Sequence, residues 1–403
     1  MSATVPLRLA GITHASELRA AIESAVVNCL AQAYRHPPAL VLAGSLARDE
    51  ATFLDTGSRW RLLGDAEFLL FCARRRELPA PARLDEISRR AMAWLQARGV
   101  DAKIEISACT LRYLRRMPPH QFGFELRRHG RVLLGPPRLL QSIPRFSNRQ
   151  VPPDDAFRLL CNRLLEWLEH APVLSSSTPA EPPASYARLK LLLDMATSYL
   201  VFLGQYASTY QRRADRLLAL DAAAARQAPW DLQRFARLVQ AATVWKLSLH
   251  RPEEGMPAEL PSGRELLHAA HALWRWEAAR LLRLAPQTGD AEIMQAWARR
   301  QPRSQRCRGW LWTARSGFRS RLRPLPWRHW LRLSWCGSPR ACVYRAGLAL
   351  LFEPPPLSPR RLLELAKLLP LSGAARNRQE ISPPELAREV SWNYRLLLAP
   401  TRH

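Results

Sequence analysis

Hydrophobic residues change their spacing along the chain, and each spacing predicts a different element. Over residues 15–34 the apolar positions recur three and four apart, which is typical of an amphipathic helix that Ser16 can cap. Ala39–Ala43 and residues 68–71 are short, continuous apolar runs, as expected of buried strands. Residues 101–109 alternate polar and apolar side chains, which predicts a half-buried strand.

Two acidic residues stand at the start of the second apolar run. Alternate residues of a strand share a face, so Asp65 and Glu67 are expected to point one way and Ala66 and Phe68 the other. Two neighbouring carboxylates repel each other unless a cation lies between them. Oxygen ligands suit Mg²⁺, which proteins usually hold with one or two carboxylates and substrate phosphates.

A glycine–serine pair follows the first predicted strand. Gly44 and Ser45 open a segment, residues 46–53, that we expect to be helical. At a strand-to-helix junction, glycine lets backbone N–H groups approach an anion closely, and the helix N-terminus favours negative charge. This junction is therefore a candidate phosphate-binding turn.

A third carboxylate lies on the alternating strand. Glu105 is expected to share a face with Lys103, whereas Ile104 and Ile106 face the opposite way. Asp101 stands at the strand entrance and is the weaker candidate for a ligand.

The chain resembles nucleotidyltransferases of the DNA polymerase β superfamily over residues 15–145. The residues that carry the resemblance, in the order of the family motif, are Gly44, Ser45, Asp65, Glu67 and Glu105. The gap between Ser45 and Asp65 is longer than in the shortest family members, and we interpret residues 55–60 within it as a turn or hairpin tip.

The resemblance implies a reaction. Asp65, Glu67 and Glu105 would hold Mg²⁺, two ions with ATP bound, while Gly44 and Ser45 would bind the β- and γ-phosphates. The metal would stabilise charge on the α-phosphate, and Glu105 would act as general base toward an acceptor hydroxyl. The products would be a nucleotidylated acceptor and pyrophosphate. We expect the acceptor to be a small molecule or a glycan precursor.

Two further basic side chains are candidate nucleotide ligands. Arg48 lies one helical turn beyond the glycine–serine pair, where it can reach a triphosphate or be solvated. Lys190 is one of only four lysines and can neutralise a triphosphate if its helix faces the cleft. A solvated surface position is the simpler interpretation of Lys190.

Long amphipathic helices dominate the chain after residue 154. We predict an α+β protein with a small mixed-sheet nucleotidyltransferase domain at 1–145, a helical bundle at 146–290 and a mostly helical, Arg/Trp-rich region at 291–403. Residues 186–220 are expected to form one helix, or two with a break at Gly204. Helical modules are common behind the catalytic domain of aminoglycoside-modifying nucleotidyltransferases, which this arrangement resembles.

The charge of the chain indicates an anionic partner. Its 403 residues carry a formal net charge of +26, almost all of it from arginine. Enrichment of arginine, alanine, leucine and proline together is also typical of a GC-rich, bacterial genome. A nucleotide, an anionic lipid surface or an acidic glycan therefore fits the charge, and nucleic acid is not favoured because no RNA-binding module is recognisable.

The number and spacing of cysteines, together with the hydropathy of the chain, predict a cytoplasmic location. The seven cysteines lack zinc-site spacing, so we expect reduced, buried thiols in a cytoplasmic protein. No signal peptide is visible, and no run of about 18 apolar residues predicts a membrane span. Peripheral contact with a membrane surface stays open.

Competing interpretations remain for both ends of the chain. The first domain can be an ordinary α/β domain in which Asp65 caps a turn and Glu67 is solvated, or an inactive nucleotidyltransferase-like binding or scaffold module. Residues 303–335 interleave arginine and tryptophan, a pattern that can bind nucleic acid or a membrane surface. We favour a packed substructure with solvated arginines there.

Overall fold

The computed structural model describes residues 15–174, 182–250, 260–319, 327–371 and 380–398. Residues 175–183 are rich in serine and proline, which predicts a loop, and they fall mostly outside the described residues. The strands are β1 (Ala39–Ala43), β2 (Phe53–Asp55), β3 (Trp60–Cys72), β4 (Val100–Thr110), β5 (Arg131–Leu134) and β6 (Leu249–His250).

Five helices accompany the strands in the first part of the chain, together with short 3-10 turns at Arg75–Glu77, Leu139–Ser142 and Asn148–Gln150. These helices are α1 (Ala15–Ala33), α2 (Gly44–Ala47), α3 (Pro81–Gln96), α4 (Leu111–Arg115) and α5 (Gln121–His129).

Helices make up nearly all of the described secondary structure after residue 150. They are α6 (Pro153–Leu174), α7 (Pro182–Phe202), α8 (Tyr210–Leu218), α9 (Ala222–Gln227), α10 (Leu232–Lys246), α11 (Gly263–Leu282), α12 (Asp290–Arg300), α13 (Arg303–Arg319), α14 (Trp327–Cys336), α15 (Pro339–Phe352), α16 (Pro359–Ala366) and α17 (Pro383–Leu398).

The long strand β3 organises the sheet. β4 runs parallel to β3 along one edge, while β1 and β2 pair antiparallel with its other edge. β5 extends the sheet beyond β1, and β6 pairs in parallel with β2. These pairings make a small sheet of mixed direction within a mostly helical chain, which confirms a mixed α+β protein.

One face of the sheet is covered by α1 and α3. Ala66, Phe68 and Ile104 are buried there among the apolar residues of the two helices. The predicted stripe of α1 is buried as expected, and consists of Leu18, Ile22, Ala25, Val26, Cys29 and Leu30. The alternation of apolar and polar residues thus leaves the opposite face of β3 and β4 free to carry polar side chains.

The helical part shares one continuous core. Phe157 of α6 contacts the indole rings of Trp274 and Trp297, and Trp297 stacks on Tyr344 of α15. Residues on both sides of position 290 belong to this core. The domain boundaries at 145 and 290 stay predictions.

Several local expectations are confirmed. The segment around residues 55–60 is the tip of a hairpin, in which Thr56 N donates to Arg59 O at 2.9 Å and Gly57 has a φ of +79°. The helix expected over 186–220 is two helices, α7 and α8, and Gly204 with a φ of +67° lies in the break.

Other expectations are wrong. The helix predicted at 46–53 is only the single turn α2, because Phe53 pairs with Leu62 as a strand of the hairpin. The apolar pattern of residues 231–250 predicts one helix, but α10 ends at Lys246 and gives way to β6. All seven cysteines are free, as expected, but Cys307 and Cys336 are exposed rather than buried. Among the described helices, none is both long and apolar enough to cross a membrane.

Candidate functional site

The three predicted carboxylates lie on one face of the sheet. Asp65 and Glu67 alternate with buried residues of β3, and Glu67 stands directly beside Glu105 in the parallel register of β3 and β4. Asp65 stands beside Lys103 in the same register. We call Asp65, Glu67 and Glu105 the carboxylate row; its members share one face of the sheet, as the alternation predicted.

The glycine–serine turn lies against this row. β1 ends at Ala43, which is paired with Glu67, and Gly44 follows with a φ of +68°. A Cβ atom at Gly44 would lie only 2.9 Å from Glu67 Oε2. The left-handed backbone therefore favours glycine at this position, and a side chain here would push the Glu67 carboxylate aside. Ser45 is the next residue of the turn, as predicted.

Lys103 lies within the carboxylate row, which sequence reasoning did not anticipate. Its Nζ is 3.0 Å from Asp65 Oδ1 and 2.7 Å from Glu105 Oε1. Partial burial by itself would lower the pKa of Lys103, but its hydrogen bond to Glu105 and the charge of Asp65 raise that pKa above its ordinary value. Lys103 thus places a positive charge between Asp65 and Glu105, and Mg²⁺ at the carboxylate row stays a prediction.

A cavity of about 410 Å³ separates the start of β3 and β4 from α6 and α7. We call it the lysine cavity, because Lys103 and Lys190 both line it together with Asp65 and Tyr186. Its walls carry four cationic side chains and three carboxylates. Lys190 therefore belongs to a helix that faces the candidate site, as the nucleotide-binding prediction requires.

A further lysine lies directly behind this cavity. Lys246 is buried, and its Nζ donates to Tyr186 Oη at 3.1 Å and lies 3.3 Å from Thr52 Oγ1. Burial alone would raise the pKa of Tyr186, but Lys246 and Lys190 lower it below its ordinary value. Three of the four lysines in the chain thus converge on one place. The rarity of lysine among so many arginines was the signal that could have indicated Lys246 and, through it, Tyr186.

A second cavity, of about 480 Å³, opens on the other side of the carboxylate row. Glu67 and Glu105 line one end of it. Most of its remaining wall is apolar or aromatic and includes Leu69, Phe71, Leu78, Tyr113, Met117 and Phe122. We call it the apolar cavity. The carboxylate row therefore lies between two cavities of different chemistry.

Arg48 is buried and paired rather than solvated. Its side chain is only 6% exposed and forms ion pairs with Glu50 and Glu125, so the solvated interpretation is wrong. Burial alone would lower its pKa, but Glu125 and Glu50 raise that pKa well above its ordinary value. Glu125 also pairs with the buried Arg213. The charge of Arg48 is thus matched internally, and its contact with a nucleotide stays a prediction.

The donor set of the carboxylate row fits Mg²⁺, since it consists of three carboxylates on one face beside a glycine turn. Within the described ranges, no three acidic, histidine or cysteine side chains stand close enough together to enclose an ion. The ammonium group of Lys103 lies between Asp65 and Glu105 and pairs with both. A metal ion that binds both of these carboxylates must displace the ammonium group.

Comparisons with protein-family models, with curated proteins and with solved structures found no match for this chain. The resemblance to nucleotidyltransferases therefore depends on the five motif residues and on the position of the carboxylate row between the two cavities.

Proposed function

We propose that this protein is a Mg²⁺-dependent nucleotidyltransferase. It would move a nucleoside monophosphate from a nucleoside triphosphate, taken to be ATP, to a hydroxyl group of a small molecule or glycan precursor. The observation that carries the proposal is the carboxylate row, which lies against the Gly44 turn and between two cavities. An ordinary α/β domain gives no reason for these features to occur together.

The carboxylate row would hold the metal. Asp65, Glu67 and Glu105 are the ligands that this chain offers, and bound Mg²⁺ would offset the negative charge on the transferred phosphate. Gly44 keeps the turn close to Glu67, and Ser45 and the backbone at Gly44 would bind the phosphate oxygens. Glu105 would accept the proton of the acceptor hydroxyl; its position in the wall of the apolar cavity, which Glu67 also lines, supports this role.

Each of the two cavities suits one of the two proposed substrates. The lysine cavity, with Lys190 in its wall and Lys246 behind it, suits the triphosphate, because phosphates prefer cationic surroundings. The apolar cavity suits the body of the acceptor, whose hydroxyl would meet Glu105 at the cavity end.

Lys103 would hold the row together until substrates arrive. Its ammonium group screens the repulsion between Asp65 and Glu105, which are otherwise two like charges on neighbouring strands. On metal binding the ammonium would move toward the phosphates in the lysine cavity, whose wall Lys103 also forms. Binding of the metal alone is therefore expected to be weak and to strengthen when a triphosphate is present.

Calorimetry of ATP binding with and without Mg²⁺ tests the proposal. Wild-type protein is expected to bind ATP more tightly with Mg²⁺, and Glu67→Gln, which preserves shape and removes charge, should weaken that binding by about tenfold or more. Asp101→Asn is the control, because Asp101 lines the lysine cavity with Asp65 but pairs with Arg61 at 3.7 Å outside the row.

The control variant also tests the choice of the third carboxylate. If Asp101→Asn abolishes Mg²⁺-dependent binding and Glu105→Gln leaves it intact, Glu105 is the wrong residue. If wild-type protein binds no nucleotide under any condition, the proposal fails.

A second candidate function is an inactive nucleotide-binding or scaffold module, and the observation that favours it is Lys103. In that case the ammonium group permanently replaces the metal. Lys103→Met distinguishes the two functions when Mn²⁺ binding is followed by electron paramagnetic resonance. An active site should bind Mn²⁺ more tightly once the competing ammonium is removed, whereas an inactive module should bind ATP without Mg²⁺ and gain no affinity for Mn²⁺.

A further inference from the structure

Half of the net positive charge of the chain comes from one stretch that contains no member of the carboxylate row. The 60 residues from 293 to 352 contain no aspartate or glutamate, and they contain 13 arginines. This stretch therefore supplies +13, which is half of the formal net charge of +26. A genome rich in GC favours arginine everywhere, but it does not explain the exclusion of acidic residues from one stretch.

Large apolar side chains are exposed within the same stretch. Leu311 of α13 is 68% exposed, and Leu331 and Trp335 of α14 are 51% and 84% exposed. Leu331 and Trp335 are one helical turn apart and share a face of α14. On α13, Arg308 lies about one turn before Leu311. On α14, Arg332 directly follows Leu331. Both arginines are exposed. Cationic and apolar side chains thus alternate on the outer surface of two adjacent helices.

The inner residues of the same helices are fixed to the protein. Trp310 and Trp330 lie 6.2 Å apart between their ring centroids. Trp310 Nε1 donates to Gly337 O at 2.9 Å, and Trp330 Nε1 donates to Pro370 O at 3.1 Å. The expectation of a packed substructure therefore holds for these two tryptophans but not for Trp335. Because the inner tryptophans already anchor α13 and α14, the core does not need the outer residues.

We infer that the outer surface of α13 and α14 binds peripherally to anionic lipid membranes. Arginines attract the negative headgroups, and Trp335, Leu311 and Leu331 enter the boundary between headgroups and acyl chains. An indole ring suits this boundary, because it is apolar but carries one N–H donor. Nucleic acid fits less well, because the two leucines offer no ring on which a base can stack.

Vesicle flotation of the full-length protein tests this inference. The probes are vesicles of phosphatidylcholine alone and vesicles that also contain phosphatidylglycerol. Wild-type protein is expected to float only with the anionic vesicles, and less so as salt is raised. Leu331→Ala/Trp335→Ala should reduce partitioning by about tenfold or more, since it removes most of the apolar area that enters the lipid.

The control and the competing partner make the test decisive. Leu218→Ala/Val244→Ala removes two exposed apolar residues outside the stretch and should leave flotation unchanged. Circular dichroism of each variant checks that its fold is retained. Equal flotation of wild type and Leu331→Ala/Trp335→Ala overturns the inference, as does failure of the wild type to float. Binding of a single-stranded RNA oligonucleotide, lost in Arg308→Gln/Arg332→Gln, without binding to vesicles would assign the surface to nucleic acid instead.

Discussion

Glu277 offers a quantitative test of the helical core. This residue of α11 is fully buried, and neither of its carboxylate oxygens has a hydrogen-bond partner among the described residues. The Ser198 hydroxyl opposes the effect of burial, but its Oγ likewise makes no hydrogen bond of good geometry to any described residue. Burial raises the pKa of Glu277 to about 8, from an ordinary value of 4.5.

The raised pKa makes stability depend on pH. Unfolding exposes Glu277 to water, where it releases its proton at neutral pH, so the folded state is favoured most at low pH. The stabilising effect of protonation is complete below pH 4.5 and is lost as the pH rises toward 8. Each pKa unit corresponds to about 1.4 kcal/mol, so the full loss is about 5 kcal/mol and the part between pH 5 and 8 is about 3–4 kcal/mol.

Glu277→Gln removes this titration and nearly preserves shape. As the pH rises from 5 to 8, we expect the free energy of unfolding of the wild type to fall by about 3–4 kcal/mol more than that of the variant. Urea denaturation followed by circular dichroism at several pH values measures it. Glu292→Gln, at an exposed position of α12, is the control. Parallel stability curves for wild type and Glu277→Gln would show that Glu277 is hydrated or paired, and the reasoning from burial would be wrong.

Two other substitutions test the site and its surroundings. Gly44→Ala should destabilise the protein by about 1–2 kcal/mol through its left-handed backbone, and should also weaken Mg²⁺-dependent ATP binding because the new Cβ displaces the neighbouring carboxylate. Glu125→Gln leaves the buried charges of Arg48 and Arg213 only partly matched, and should lower the free energy of unfolding by about 3 kcal/mol or more. Urea denaturation measures both effects, with calorimetry for the nucleotide.

Matched control variants show whether these effects are specific to the substituted site or reflect a general loss of stability. Gly57→Ala introduces the same backbone strain at a φ of +79° with no atom within 4 Å, so it should reduce stability without affecting ATP binding. Glu86→Gln removes one partner of an exposed ion pair with Arg89 and should change stability by less than about 1 kcal/mol. If Gly44→Ala binds ATP as Gly57→Ala does, or Glu125→Gln is as stable as Glu86→Gln, the corresponding explanation is wrong.

The common face of Asp65, Glu67 and Glu105 was predictable because strand alternation is a local property. Burial of Ala66 and Ile104 against α1 and α3 requires their neighbours to face the other way, whatever the rest of the chain does. The first helix was predictable for a similar reason, because the spacing of apolar residues three and four apart is also a local property.

Features that depend on distant partners were not predictable. Residues 46–53 can form a helix in isolation, but Phe53 gains a strand partner in Leu62, and pairing within the sheet overrides local propensity. Arg48 finds Glu125, which is 77 positions away, and no spacing along the chain indicates such a pair. Lys103 was visible on the correct face, but its insertion between two carboxylates depends on the register of β3 against β4.

The two-residue strand β6 has a consequence for how the chain can be divided. It comes from the helical half, yet it completes the sheet beside β2, and Thr52 just before β2 donates from its Oγ1 to Lys246 O at 2.9 Å. A fragment cut near residue 145 would leave the hairpin edge without its partner strand and open to pairing with other chains. The first 145 residues are therefore a poor cassette for expression or domain exchange, and a graft that retains the hairpin must also carry α10 and β6.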